Sequence, residues 1–318
     1  MVLLALAGDT MLGRGVADRL ESEPPQSLVD PDVAVFARRA DLFVLNLECC
    51  ISERGAPWPA PEKPFFFRAP PEAVDLLTHL NVSCVTLANN HALDFGEEAL
   101  RDTLTFLDSA GIAHVGAGPD LDAARAPAML DANGFRVDVV GLADHPKDFA
   151  AGPERSGIAY TDLGAGVPGW VREAVRGSAA DAVMVTPHWG PNMTSEPVPH
   201  VRRAAETLVA AGATLVAGHS AHVFHGVEGS VLFDLGDFLD DYAVDPTLRN
   251  DLGLLWLVTL DRDGSRRIEG LPLWLDYCRT RMATGDDAAW IGRRLREACA
   301  AMGTDVAEED GILVITRE

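Results

Sequence analysis

Val82-Ser83-Cys84-Val85-Thr86-Leu87-Ala88-Asn89-Asn90-His91 is an apolar run that ends in oxygen and nitrogen donors. Residues 82–88 read as a strand, short, apolar and partly β-branched. In an open α/β sheet, ligands gather beyond the carboxyl ends of the strands, so donors far apart in sequence converge there. Working outward, the same arrangement recurs four times. Residues 2–7 precede Gly8-Asp9, residues 42–45 precede Asn46-Leu47-Glu48, residues 182–186 precede Pro187-His188-Trp189-Gly190, and residues 214–217 precede Gly218-His219-Ser220-Ala221-His222. Carboxylates with neutral imidazoles suit a divalent cation such as Zn, Mn or Fe, whereas purely oxygen shells suit Ca or Mg. The spacing predicts a metal site built from five strand ends.

The intervening segments supply the rest of an α/β fold. Helices are expected at 31–39 with Asp30 as cap, at 72–80, at 96–110 with Asp94 as cap, and at 168–176, 198–211 and 287–302. Asn133-Gly134 marks a hairpin between residues 129–131 and 136–142. Beyond residue 223 the pattern becomes successive strands, at 223–228, 230–235, 254–260, 266–275 and 311–316. Helix–strand units followed by an antiparallel half predict two mixed sheets packed face to face and covered by helices. No repeat or linker interrupts residues 1–318, which read as one domain. Residues 51–71 form a Pro-rich loop carrying Trp58 and Phe65-Phe66-Phe67-Arg68, long enough to act as a lid or a substrate wall.

Composition narrows the function classes. A net charge of −22 with only two lysines, Lys63 and Lys147, repels polyanions and argues against nucleic acid as a partner. No apolar run reaches the roughly 18 residues of a membrane span. The start lacks a charged n-region and cleavage site, so a cytoplasmic location is expected. Five cysteines (Cys49, Cys50, Cys84, Cys278 and Cys299) show neither a paired framework nor zinc-knuckle spacing.

The motifs together resemble the calcineurin-like metallophosphoesterase superfamily, and within it the CapA-like (poly-γ-glutamate capsule synthesis) branch. The carriers are residues 8–14, Asn46-Leu47-Glu48, residues 87–96, Pro187-His188-Trp189-Gly190, residues 211–213 leading into Gly218-His219, and Leu235-Gly236-Asp237-Phe238. They occupy residues 2–240 in the family's order. The resemblance implies a four-layer metallophosphoesterase-like sandwich, completed by strands and a helix in residues 250–318. It implies a first metal position held by Glu48, Asn90, His188 and His219. A second would use Asp9, Glu48 as bridge, and His222, with His91 beside the metals as acid or electrophile. Two places depart from the wider superfamily. Met11 stands where a His ligand is usual, and His219 and His222 are separated by two residues rather than one. The second position is therefore one donor short, with water, Asp237 or His225 as candidates to complete it.

Simpler readings exist for each residue. Asp9 could cap a helix, Glu48 could be a solvated charge, and Asn90-His91 could be turn residues. Five such motifs in order favour ligation. Cys49 and Cys50 read as core, because free cysteine is among the most buried residue types. His79, His114, His145 and His200 read as surface or core residues. Arg14 and Arg68 are candidates to clamp a carboxylate or phosphate. The reaction expected first is metal-dependent hydrolysis of a peptide-like or polyglutamate substrate, with His91 assisting proton transfer. The alternatives are a peptide epimerase, in which His91, Asp9 or a cysteine removes and returns a Cα proton, and a non-enzymatic capsule-assembly protein with a relic metal site.

Overall fold

The computed structural model describes residues 1–60 and 62–317. Val2–Thr10 lies inside the larger of two mixed sheets. On one side Leu42–Leu47, Cys84–Thr86 and Ala113–Val115 follow in parallel. On the other, Leu252–Asp261 and Gly264–Leu275 are antiparallel. The second sheet is built on Phe135–Ala143, Ala182–His188, Leu215–Ala217 and Val231–Leu232, all parallel. Ala128–Ala132 adds an antiparallel edge.

Strand side chains alternate between faces, and here the alternation sorts the apolar residues into layers. Leu4, Leu6 and Val44 of the larger sheet share one core with Val139, Met184 and Leu215 of the smaller. Ala5, Ala7, Phe43 and Leu45 point the other way, packing with Leu20 of helix Arg14–Ser22 and Leu100 of helix Gly96–Ser109. Val140, Val183 and Val216 pack on the far side against Val171 of helix Gly169–Gly177 and Leu208 of helix Pro199–Ala211. The result is the expected helix–sheet–sheet–helix sandwich. Burial on both faces explains why these strands are almost continuously apolar. Helix Gly285–Ala300 closes the inter-sheet core with Ile291, Leu295 and Cys299.

Trp256 is the largest fully buried side chain and lies in that inter-sheet core. Trp256→Ala should lower unfolding free energy by about 3–5 kcal/mol, from lost transfer energy and an unfilled cavity. Equilibrium urea unfolding checks it, through a lowered midpoint at unchanged slope.

Several local expectations hold and others are corrected. The hairpin forms, with Asn133 and Gly134 at φ 55° and 84°. The expected strands at 223–228 and 230–235 shrink to Val227–Glu228 and Val231–Leu232. Left-handed backbone at Ser220 (φ 112°) and His222 (φ 60°) winds the chain into turns just before them. Neither expected cap operates: Asp30 precedes its helix without a side-chain cap bond, and Phe95, not Asp94, occupies the other N-cap. The Asp94 carboxylate is committed elsewhere.

Candidate metal centre

A β-bulge at Gly8 aims the first donor. Ala7 pairs with Leu45, but the next paired residue is Asp9, opposite Asn46. Without the bulge, Asp9 would follow Ala5 and Ala7 onto the helix-covered face. The extra residue turns it onto the inter-sheet face that Leu4 and Leu6 occupy, as bulges do when they re-aim a side chain. Period-two alternation delivers the others to the same face. Asn46 and Glu48 follow Leu42 and Val44, His188 follows Ala182 and Met184, and His219 follows Leu215 and Ala217. His188 and His219 are themselves paired across a parallel bridge.

One donor atom each from Asp9, Glu48 and His188 lies within 4.8 Å of the others, and the same is true of Asp9, His222 and Asp237. Asp9 Oδ1 accepts from Asn46 Nδ2 at 2.7 Å and lies 3.5 Å from His219 Nδ1. His222 Nδ1 is 2.9 Å from Asp237 Oδ1 and 3.3 Å from Asp9 Oδ2. Asp237 reaches the cluster because Asp237–Leu239 pairs in parallel with Val2–Thr10, placing it directly beside Asp9. Of the candidates to complete the second group, Asp237 is in place. His225 instead turns its Nε2 to the Thr194 carbonyl at 2.7 Å. Met11 packs in the helix-side core, where its sulfur accepts from Gly13 N at 3.0 Å.

The electrostatics of this cluster favour positive charge among its carboxylates. Burial, then repulsion from Asp9, pushes the Glu48 carboxyl well above its usual range. Burial, then Asp240 and Asp9, does the same to Asp237. Burial drives the His219 imidazole down to about 4 and His188 well below its usual value, keeping both neutral. Burial opposes charging of His222 as well, but Glu48 and Asp9 raise it overall. Glu48 Oε1, Asn90 Oδ1, His188 Nε2, His219 Nδ1 and Asp237 Oδ2 are buried with no hydrogen-bond partner. An orphaned buried polar atom costs about 1–3 kcal/mol. A divalent cation would satisfy these atoms and offset the clustered carboxylates, so the residues present fit one.

His91 stands beside this cluster in a hydrogen-bonded relay. Its Nδ1 is 2.6 Å from Asp94 Oδ2, and Lys63 Nζ lies 3.0 Å from Asp94 Oδ1. The same Asp94 oxygen that holds His91 also accepts from Phe67 N, and the Phe67 ring stacks on the imidazole at 4.0 Å between centroids. Burial, opposed by Asp94, lowers His91 to about 4. The stretch between the short paired strands Cys50–Ile51 and Arg68–Ala69 is thus tied to the site by Lys63 and Phe67. A cavity of about 440 Å³ opens here, lined by His91, His222, Arg14, Phe65, Phe67 and Tyr242 among others.

The two arginines part company. Arg14 lines this cavity, bonded to the Asp241 carboxylate with its guanidinium over the Phe67 ring. Arg68 lies outside it, over the Phe95 ring and bonded to the Arg54 carbonyl. Cys49 and Cys50 are fully buried, and burial pushes the Cys50 thiol up to about 12, which leaves no reactive thiolate. Sequence reasoning missed Asn46, which orders Asp9 and, through its Oδ1, Asn89 at 2.9 Å. It missed Tyr242, whose hydroxyl donates to Glu48 Oε2 at 3.4 Å. It also missed His145, whose ring lies 5.2 Å from that of His188. The even spacing from Val44 to Asn46 was a signal for the first. Nothing in the local sequence marks the other two.

Fold and donor set define an α/β sandwich with a candidate divalent-metal centre between its sheets. A family model described as "Bacterial capsule synthesis protein PGA_cap" matches residues 3–242, and the chain belongs to that family. A Mycobacterium tuberculosis protein named a probable polyglutamine synthesis accessory protein is 31% identical, with 100% of this chain and 94% of that protein covered. The PGA biosynthesis protein CapA of Bacillus subtilis is 30% identical over 85% of this chain and 70% of its own length. Among solved structures, a 5′-nucleotidase precursor from Thermus thermophilus aligns at TM-score 0.45 and 16% identity, covering 86% of this chain and 54% of that one. The NAD nucleotidase of Haemophilus influenzae aligns at TM-score 0.44 and 11% identity, covering 95% and 58%. Among the described residues, no helix is long and apolar enough to cross a membrane.

Proposed function

We propose that this protein is a metal-dependent hydrolase that cleaves an amide in a peptide-like or γ-glutamyl substrate. One observation carries the reading: the four side chains expected at the first metal position each present a buried donor atom with no partner. Glu48, Asn90, His188 and His219 would hold that ion, and Asp9, His222 and Asp237 would surround a second position. A divalent ion there would supply Lewis acidity, stabilising charge on a polarised carbonyl and making a water more acidic. His91, neutral and fixed by Asp94, moves a proton at its free Nε2. Phe67 shields that imidazole from solvent, and Arg14 faces the cavity where a substrate carboxylate would lie. The names of the relatives in polyglutamine and PGA synthesis support γ-glutamyl chemistry. Residues 1–318 act in this reading as one metallophosphoesterase-like domain, since Leu252–Asp261 pairs with Val2–Thr10.

The test is incubation of the Mn-loaded protein with short γ-glutamyl peptides in D₂O, followed by mass spectrometry. Cleavage without Cα deuterium supports hydrolysis. Deuterium at Cα without cleavage replaces it with epimerisation, which the same neutral imidazole could perform. Neither outcome, with metal bound, would favour a non-enzymatic role. His91→Gln should lower kcat by about 10²- to 10⁴-fold, and elemental analysis should find its metal content unchanged.

A further inference from the structure

Outside the candidate metal centre, a cavity of about 210 Å³ lies between helices Pro199–Ala211 and Gly285–Ala300, lined by Arg202 from the first and Arg294 from the second. Rings and carbonyls hold each guanidinium, and no carboxylate does. Arg294 sits over the Phe224 and Trp290 rings at 5.3 and 5.5 Å, and its Nη2 donates to the Phe224 carbonyl at a long 3.5 Å. Arg202 sits over the Phe233 ring at 5.6 Å and donates from Nε to the Pro197 carbonyl at 3.2 Å. Among the described residues neither has an ion-pair partner, whereas Arg249, which reaches the same Trp290 ring, pairs with Asp251 and Asp287. Arg294 Nε is moreover buried with no hydrogen-bond partner. Burial, opposed by Glu297, pushes its pKa below the ordinary arginine value. A partly buried cation without a counter-ion is costly. In a chain of net charge −22, two unpaired arginines at one cavity do not reflect a shortage of carboxylates.

We propose that this cavity binds a small oxyanion, a phosphate or a carboxylate, between Arg202 and Arg294, with the Ser195 hydroxyl as a further donor. The site goes beyond the hydrolase reading and does not depend on it. A guanidinium is a planar fork of five N–H donors, which suits the oxygens of either group. Space is sufficient, since a cavity of about 150 Å³ already admits benzene. The carboxylates that line it, Glu196 and Glu297, are exposed and pair with neither arginine, so they leave the guanidinium donors free. Ser195, Glu196 and Pro197 wall this cavity, and Asn192 and Met193 just before them line the one holding His91. A bound anion would therefore clamp the far end of that loop to both helices.

The experiment modifies arginines of the Mn-loaded protein with phenylglyoxal and locates the products by mass spectrometry. Inorganic phosphate is one arm and L-glutamate the other, each against sodium chloride at equal ionic strength. At least one of them should protect Arg202 and Arg294 together and saturably. The exposed neighbours Arg203 and Arg293 should react as before. Protection by phosphate alone supports a phosphate site, and protection by glutamate alone a carboxylate site. Protection of neither arginine, or equal protection of all four, overturns the inference. Phosphate also ligates metals, so its binding is measured by calorimetry in two variants as well. It should survive in His188→Ala and weaken about tenfold or more in Arg294→Met, where the methionine keeps an apolar chain against Phe224 and Trp290. Loss in His188→Ala with retention in Arg294→Met would place the ion at the metal centre and overturn the proposal. Glu297→Gln, which removes a carboxylate that repels an anion there, should tighten binding; weaker binding in that variant would count against the site equally.

Discussion

Replacing His188 with alanine is expected to abolish tight retention of a divalent ion and the thermal stabilisation that ion confers. His188 Nε2 is buried and unpaired, and its donor atom lies within 4.8 Å of those of Asp9 and Glu48. An ion that binds only the folded state stabilises it by about 2.7 kcal/mol at a hundredfold excess over Kd. At about 2.1 cal/mol/K of unfolding entropy per residue, that corresponds to a rise of roughly 4 °C in Tm for a chain of 318 residues. Added Mn²⁺ or Zn²⁺ should raise the wild-type Tm by that amount and leave His188→Ala unmoved. The metal-free variant should unfold near the metal-free wild type, because the substitution also removes an orphaned buried nitrogen. Differential scanning calorimetry with elemental analysis decides the matter. Less than one bound ion per wild-type chain, with equal responses in both proteins, would sink the metal reading itself.

Gly8→Ala should be the most damaging single-methyl change in the molecule. A Cβ built at Gly8 would stand 1.7 Å from the Gly236 carbonyl oxygen, which accepts a hydrogen bond from Asp9 N at 2.9 Å. That neighbour is backbone and cannot rotate aside. Relief requires separating Val2–Thr10 from the segment that brings Asp237 beside Asp9. The expected cost exceeds about 4 kcal/mol, the range reserved for a named structural failure, with loss of metal binding. Gly134→Ala is the comparison: its φ of 84° is strained for alanine, but no atom lies within 4 Å. It should cost about 1 kcal/mol and leave the site intact. Denaturant midpoints and metal stoichiometry of the two variants provide the check; a Gly8→Ala protein as stable as Gly134→Ala would refute the bulge argument.

Legibility in the sequence tracked how local each feature is. Strand-then-donor motifs at Asp9, Glu48, Asn90, His188 and His219 could be seen because strands are short-range patterns and each candidate donor follows its strand directly. The two-sheet layering followed from the change of rhythm after residue 223. The bulge could not be read, because Ala7-Gly8-Asp9 shows no alternation to violate. Asp237 was only one of several candidates, since its place beside Asp9 is set by pairing between residues 228 positions apart in the chain. Asp94 was mistaken for a helix cap because it sits where caps sit; tertiary contacts with Phe67, Lys63 and His91 outweigh that local role. His145 and His200 looked ordinary for the same reason, because only folding brings both against Asp144.

The candidate donors come from opposite sheets: Asp9, Glu48 and Asp237 from the larger, His188 and His219 from the smaller. No two adjacent segments of the chain can assemble such a site early in folding. The larger sheet alone would hold three of the candidate donors and the smaller sheet two, so the full set needs both sheets in place. In zinc fingers, by contrast, metal capture and folding are one event. An ion that needs the full candidate set would bind only after the inter-sheet core has closed, as a late rivet between finished layers. On that order of events the chain would fold without the ion and bind it afterwards.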